Sequence, residues 1–204
     1  MPDRSAHWEA VYSTKAENEV SWFQENPATS LRLIRDAKAS ADSAIIDIGG
    51  GASRLVDVLI AQGFHSLAVL DISAAALEAA KTRLGPESSK VDWITADITK
   101  WQPARTYDIW HDRATFHFLT DAADKEAYIA RVTSALAPRG QVIIGTFALD
   151  GPEKCSGLPV TRHDAKSLAD ALGPAFALAD NFAEAHRTPW GAIQHFQFSR
   201  FRRL

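Results

Sequence analysis

Short apolar runs recur along the middle of the chain, and between them apolar residues are spaced as on one face of a helix. The runs are 44–48, 66–71, 91–95, 107–112 and 141–147. The run of Ala and Ile at 44–48 is typical of a strand covered on both faces, whereas segments such as 54–60 have helical spacing. This alternation predicts an α/β fold with a parallel sheet that is doubly wound, with helices on both faces.

The pattern changes after Phe147. A polar loop precedes a helix near 164–172, and two segments of alternating polar and apolar residues follow at 176–184 and 192–200. A period of two indicates strands that are exposed on one face. We therefore expect an antiparallel hairpin at the sheet edge, which brings the sheet to seven strands with the last one reversed.

Cap and turn residues predict where several elements begin. Ser53 is expected to cap the helix after the first strand, and Ser73 the helix after the second. Residues 138–140 are expected to form a turn directly before the fifth strand. Before the sheet, Trp8 and Tyr12 lie four residues apart, which places both on one face of a predicted helix.

Composition and charge narrow the class of protein. A chain of 204 residues with 46% hydrophobic content suits a single domain. The net charge of -3, without a long basic stretch, argues against nucleic acid as a partner, and no run approaches the ~18 apolar residues of a membrane span. Cys155 is the only cysteine, which excludes an internal disulfide and favours a reducing, cytoplasmic compartment. The histidines lack zinc-ligand spacing, so we expect no metal.

A glycine turn follows the first strand and predicts a ligand site. Three consecutive glycines, Gly49 to Gly51, let the backbone adopt positive φ and let a ligand approach closely. Arg54 stands where a dinucleotide fingerprint has its last glycine, so a ligand without a pyrophosphate is favoured. Asp71 closes the second strand, 20 residues after Gly51, where a carboxylate accepts hydrogen bonds from a ribose.

The pattern of Asp47, Gly49 and Gly51 followed by an acidic strand end resembles the class I, seven-strand S-adenosylmethionine-dependent methyltransferases over roughly 44–147. The resemblance implies a Rossmann-like, doubly wound sheet of seven strands with the last one reversed. It also implies S-adenosyl-L-methionine as cofactor and S-adenosyl-L-homocysteine as product. It also implies one domain over 1–204, with an N-terminal helical lid (1–40), a cofactor-binding core (41–148) and an acceptor-side loop, helix and edge hairpin (149–204).

The resemblance assigns cofactor-binding roles to residues at successive strand ends. Asp71 would bind the ribose diol and Ile72 would pack on the purine, while Asp97 would accept from the adenine amino group beside the Ile98 backbone. The remaining residues implied near the cofactor are at the first and fourth strand ends: Asp47, Gly49, Gly50, Gly51 and Asp112.

The aromatic residues of the N-terminal segment have two interpretations. Trp8, Tyr12 and Trp22 either close one end of the core as packing anchors or border the sulfonium of the cofactor, because aromatic faces attract cations.

Residues 112–119, together with 7–12, resemble the protein-lysine methyltransferases of elongation factor and citrate synthase type. Those enzymes carry an acidic residue, then Lys-Gly-Thr, an aromatic residue and a second acid. Here Arg113 and Ala114 replace Lys-Gly, and His117 stands in place of the second acid. A small-molecule acceptor methylated on N, O or S is therefore favoured, while a protein lysine stays an alternative.

Two histidines are candidate general bases, His117 and His186, because imidazole titrates near neutral pH. The alternative is that both are hydrogen-bonded structural residues. A function of another class also stays open, namely a non-catalytic module that binds S-adenosylmethionine. Cys155 is expected to line the acceptor pocket at most.

Overall fold

The computed structural model describes residues 4–204, so residues 1–3 of the predicted lid lie outside the described part. The helices are α1 (Arg4–Thr14), α2 (Ala28–Asp36), α3 (Leu55–Ala61), α4 (Ala74–Leu84), α5 (Ala122–Ala135) and α6 (Ala165–Leu172). The strands are β1 (Ile45–Ile48), β2 (Leu67–Asp71), β3 (Val91–Thr95), β4 (Tyr107–Arg113), β5 (Leu136–Phe147), β6 (Lys154–Cys155), β7 (Leu158–Pro159), β8 (Phe176–Arg187) and β9 (Ile193–Arg203).

Seven of the strands form one sheet in the order β3-β2-β1-β4-β5-β9-β8. Strands β1 to β5 are parallel, and β9 is inserted antiparallel between β5 and β8. The α/β fold with one reversed strand confirms the predicted fold class. The short β6–β7 hairpin lies outside this sheet.

The sheet is covered on both faces, as its apolar runs require. Every residue of β1 and β2 is buried. One core cluster includes Trp110 and Tyr128, and the other includes Leu33 and Phe196. Because the strand order reverses between β1 and β4, a crevice opens at their carboxyl ends, where ligands bind in wound sheets.

Two predicted boundaries are wrong. The glycine turn extends to Ser53, whose N–H donates to Gly50 O, so α3 begins at Leu55 and the Ser53 hydroxyl only accepts from Leu55 N at 3.2 Å. The turn expected at 138–140 belongs to β5, which contains a bulge there. Ser73 caps α4 as predicted, because its hydroxyl accepts from the N–H of Ala76.

No helix within residues 4–204 combines the length and apolar character needed to cross a bilayer.

Candidate active site

A cleft with about 740 Å³ of empty volume lies at the carboxyl ends of β1 to β4. A second cleft of about 580 Å³ adjoins it on the side of the glycine turn. Predicted cofactor residues that line the main cleft come from the N-terminal segment and three strand ends: Trp8, Tyr12, Trp22, Gly49, Asp71, Ile72, Asp97 and Ile98. Asp47 and Gly50 line the second cleft.

The glycine turn has no room for side chains. Gly49 and Gly51 adopt φ values of +64° and +41°, in the left-handed region. A Cβ on Gly49 would lie 1.8 Å from the Thr115 hydroxyl, and one on Gly51 would lie 2.8 Å from a carboxylate oxygen of Asp71. The turn therefore brings bare backbone against the residues of the neighbouring strand ends, as the glycines predicted.

Asp71 is a buried carboxylate with few partners. Its Oδ1 accepts from Ser73 N at 2.8 Å. Burial raises the pKa of Asp71 to about 7, because desolvation and the negative charges of Asp47 and Glu9 outweigh backbone hydrogen bonds. Near neutral pH both the protonated and the ionised form of Asp71 are populated, and a ligand whose two hydroxyls donate hydrogen bonds to the carboxylate would favour the ionised form.

The end of β3 contributes Asp97 and Ile98. Oδ1 of Asp97 accepts from the backbone N–H and the hydroxyl of Thr99, at 2.9 and 2.7 Å, so the carboxylate is held in one orientation. Both residues line the main cleft, two strand positions away from the glycine turn.

Four predicted cofactor residues lie outside the lining of the main cleft, namely Asp47, Gly50, Gly51 and Asp112, and the last two line neither cleft. Asp112 is fully buried; it accepts from Tyr128 OH at 2.6 Å and from Thr115 N at 2.9 Å, and burial raises its pKa to about 6. Its side chain therefore orders the loop after β4 instead of facing a ligand. Asp47 contacts Nδ1 of His111 at 2.7 Å and faces only the second cleft.

The N-terminal aromatic residues form the cover of the cleft. The ring of Trp8 lies 5.0 Å from Phe118 and 5.6 Å from Trp22 between centroids, both edge to face. Nε1 of Trp22 donates to Tyr12 OH at 3.2 Å. These residues pack against one another and also line the cleft. Their contact with the sulfonium of a cofactor stays a prediction.

His117 is not positioned as a base. The ring is fully buried outside the lining of either cleft, and Nδ1 accepts from Phe147 N at 3.4 Å. Burial, with the positive charges of His163 and Arg113, lowers the pKa of His117 to about 3. An imidazole in these surroundings stays neutral and is a poor proton acceptor at pH 7.

His186 also lies outside the lining of both clefts. Its Nε2 donates to the carbonyl of Ser21 at 2.7 Å, and burial lowers its pKa. Since Ser21 precedes Trp22, this bond fixes the cover of the cleft to the end of β8. The contacts of both histidines favour the alternative interpretation, and a general-base role for either one stays a prediction.

Sequence reasoning missed several residues of the cleft. Arg4 lines it without having been singled out, whereas Thr115 and Phe118 belong to the segment 112–119, where the substrate was expected to meet the methyl group, but had no role of their own. Cys155 also lines the cleft. Arg113 lines both clefts; it was noted at the end of β4 but was given no binding role. Its position directly after a buried strand was the available signal. Within residues 4–204, no cluster of three or more potential metal ligands occurs.

Comparisons with known proteins agree with this geometry. Residues 45–140 match the family model described as a methyltransferase domain. A malonyl-[acyl-carrier protein] O-methyltransferase from Anoxybacillus flavithermus is 35% identical over 104 residues, which are 50% of this chain and 38% of that protein. The first curated relatives are matched over 38% to 55% of their own length.

Two further comparisons concern the alternatives. An EEF1A lysine methyltransferase 2 from Danio rerio is 24% identical over 153 residues, covering 68% of this chain and 66% of that one. The solved structure of the N-methyltransferase NodS from Bradyrhizobium japonicum with S-adenosyl-l-homocysteine superposes with a TM-score of 0.73 at 18% identity, covering 98% and 99% of the two chains. The latter likeness shows the common fold.

Proposed function

We propose that this protein, whose residues 45–140 match a methyltransferase domain and whose sheet has seven strands, transfers a methyl group from S-adenosyl-L-methionine to an N, O or S atom of a small molecule. The observation that carries the proposal is that side chains suited to binding adenosine, those of Asp71, Asp97 and Ile98, line the cleft beside the bare glycine turn. The predicted product, S-adenosyl-L-homocysteine, would bind in the same cleft.

The cleft residues fit this cofactor in order along the sheet. Asp97 and Ile98 at the end of β3 would bind adenine, and Asp71 at the end of β2 would accept from the ribose hydroxyls. A Cβ at Gly51 would fill the space beside the Asp71 carboxylate. Adjacent strands lie ~4.8 Å apart, so the three neighbouring strand ends span the length of a nucleoside.

In this reaction the protein would position the acceptor and the cofactor and exclude water, and none of its side chains would act as a nucleophile. When bound, the cofactor provides an electrophilic methyl group on a sulfonium. The faces of Trp8 and Tyr12 would stabilise that positive charge, and the aromatic cover would exclude water from the reacting atoms. Holding the acceptor in line with the methyl group accounts for much of the rate in such a displacement.

A small acceptor is favoured over a protein lysine by the charges in the cleft. Its lining carboxylates, Asp71 and Asp97, lie at the adenosine end, whereas Arg113 lies at the end of β4. A lysine ammonium beside this guanidinium would be repelled. The 24% identity to the lysine methyltransferase from Danio rerio is the reason to test a protein lysine as the alternative acceptor.

Two measurements test the proposal. Calorimetry should show micromolar or tighter binding of S-adenosyl-L-homocysteine and no binding of NAD. Incubation with methyl-labelled cofactor and separate pools of metabolites and proteins should then place label in small molecules. Label in protein would favour the lysine alternative, binding without any transfer would favour a non-catalytic module, and absence of binding would overturn the proposal. The cytoplasmic location stays a prediction from the unpaired Cys155.

A further inference from the structure

Arg113, at the end of β4, is a guanidinium in which two of the three nitrogens have no hydrogen-bond partner among residues 4–204. Its Nη1 donates to the carbonyl of Trp22 at 2.8 Å, and the group lies over the ring of Phe196, 4.7 Å from the centroid. Nε and Nη2 are both sequestered from solvent and have no hydrogen-bond partner among residues 4–204. These two nitrogens carry the pair of N–H bonds that point to the same side of the guanidinium, which is the arrangement that binds a carboxylate through two parallel hydrogen bonds.

Within the described chain, no carboxylate lies within ion-pair distance of Arg113. The nearest acidic groups, Glu184 and Asp47, are occupied elsewhere: Glu184 accepts from Gln24, and Asp47 contacts His111. Burial lowers the pKa of Arg113 to about 10, so the group stays charged at neutral pH. A buried charge without a partner is unfavourable, which indicates that this residue meets its counter-ion in a ligand complex.

Among residues 4–204, the other side chains that line this end of the cleft carry no negative charge that could pair with Arg113. Cys155 lines the same end of the cleft, but burial raises the pKa of its thiol to about 12, so it is neutral. Phe118 and Ala114 complete an apolar wall. The end of β4 is therefore an apolar site with one positive group, next to the β1 end where the glycine turn lies.

We propose that Arg113 binds a ligand carboxylate through Nε and Nη2. This inference rests on the proposed function, which supplies two sources of a carboxylate: the amino-acid end of the cofactor, or an acceptor that is a small organic acid. The second source would make the substrate class an aromatic or aliphatic acid. The chemistry of recognition is the same for both, and the following measurements separate them.

The first measurement concerns the cofactor end. S-adenosyl-L-homocysteine and its decarboxylated analogue differ in the carboxylate alone, and both are titrated into the wild-type protein and the Arg113→Gln variant. If the cofactor is the source, the wild type should prefer the carboxylate form by tenfold or more and the variant should lose that preference. Arg105→Gln, at an exposed arginine paired with Asp92, is the matched control and should keep it.

The second measurement concerns the acceptor end. Benzoate and its neutral isostere benzamide are titrated into the wild-type complex with S-adenosyl-L-homocysteine. If an acceptor acid is the source, benzoate should bind at least tenfold more tightly than benzamide, and Arg113→Gln should abolish the difference. Arg113→Lys, which keeps the charge without the paired donors, should retain only part of it.

Equal affinities in both ligand pairs for the wild-type protein would overturn the inference, and so would a preference that survives in Arg113→Gln. The wild-type comparisons hold even if the variant fails to fold, and binding of the decarboxylated analogue shows that a variant is folded. If neither adenosine ligand binds to the wild type, it is the proposed function that fails.

Discussion

Replacing Asp71 by asparagine should weaken cofactor binding while making the empty protein more stable at pH 8. Both effects have the same cause, because the folded protein holds a carboxylate where its ionised form is poorly solvated. The substitution keeps the shape and one acceptor oxygen of the side chain and removes the charge.

The stability effect follows from the pKa. Asp71 titrates at about 7 in the folded protein against an ordinary value of 3.8, so the folded state binds the proton more tightly than the unfolded state does. The free energy of unfolding therefore falls as the pH rises from about 4 to about 7, and the loss at pH 8 is about 4 kcal/mol at ~1.4 kcal/mol per unit. Asparagine avoids this loss but weakens the bond from Ser73 N by ~1 kcal/mol.

The net gain in stability at pH 8 is then about 3 kcal/mol, or a rise in Tm of about 6 °C or more for a chain of this size. The gain should shrink as the pH falls and vanish near pH 4. For the cofactor, losing a charge-assisted hydrogen bond to a ribose hydroxyl costs about 2 kcal/mol, which raises Kd about thirtyfold.

Thermal unfolding at pH 5 and 8 and calorimetry with S-adenosyl-L-homocysteine measure the two effects. The control is Asp92→Asn, which changes an exposed carboxylate in β3. It should change the Kd for S-adenosyl-L-homocysteine by less than about twofold and the Tm by less than about one degree. An unchanged Kd in Asp71→Asn would refute the ribose assignment. A lower Tm at pH 8 would refute the burial argument.

Three other substitutions probe separate parts of the site. Gly49→Ala places a methyl group 1.8 Å from the Thr115 hydroxyl at a position with positive φ, so it should abolish either cofactor binding, measured by calorimetry, or folding, measured by circular dichroism. The control Gly63→Ala, where the added methyl group meets open space, should lower the free energy of unfolding by only about 1 kcal/mol. Tyr128→Phe removes the 2.6 Å donor to Asp112 and should lower the free energy of unfolding in urea by about 2 kcal/mol; no change would show that this bond is not stabilising. His117→Gln should keep turnover within about threefold, and a hundredfold loss with intact cofactor binding would restore its candidacy as a base.

Much of the fold follows from local sequence pattern. The bounds of β3 coincide with the predicted apolar run at 91–95, and Ser73 caps α4 as expected. The start of β5 could not be predicted from the local pattern, because it depends on the pairing of Leu136 with Tyr107 across the sheet. A bulge accommodates the residues between Leu136 and Gln141. Proline and glycine in that bulge are indistinguishable, in sequence, from those of a turn.

The candidate site likewise contains residues that could be placed from the sequence and others that could not. Asp71 and Asp97 could be placed in the cleft because the ends of parallel strands meet at one edge of the sheet. Asp112 occupies an equivalent place in sequence, yet a tyrosine from α5 holds it beneath the loop. The unpaired donors of Arg113 were beyond prediction, since they depend on every acidic residue near it being engaged elsewhere.

The two halves of the cleft come from different parts of the chain. The adenosine half is built by β1 to β3, whereas the other half is built by the loop after β4, the N-terminal segment and the β6–β7 hairpin, joined by contacts such as Arg113 to Trp22 and His186 to Ser21. The ends of β1 to β3, where we propose that adenosine binds, therefore share no residue with the hairpin, whereas the N-terminal segment is proposed to contact the cofactor as well. Exchanging the β6–β7 hairpin for that of another member of the fold would thus alter the far side of the cleft while the ends of β1 to β3 keep their residues.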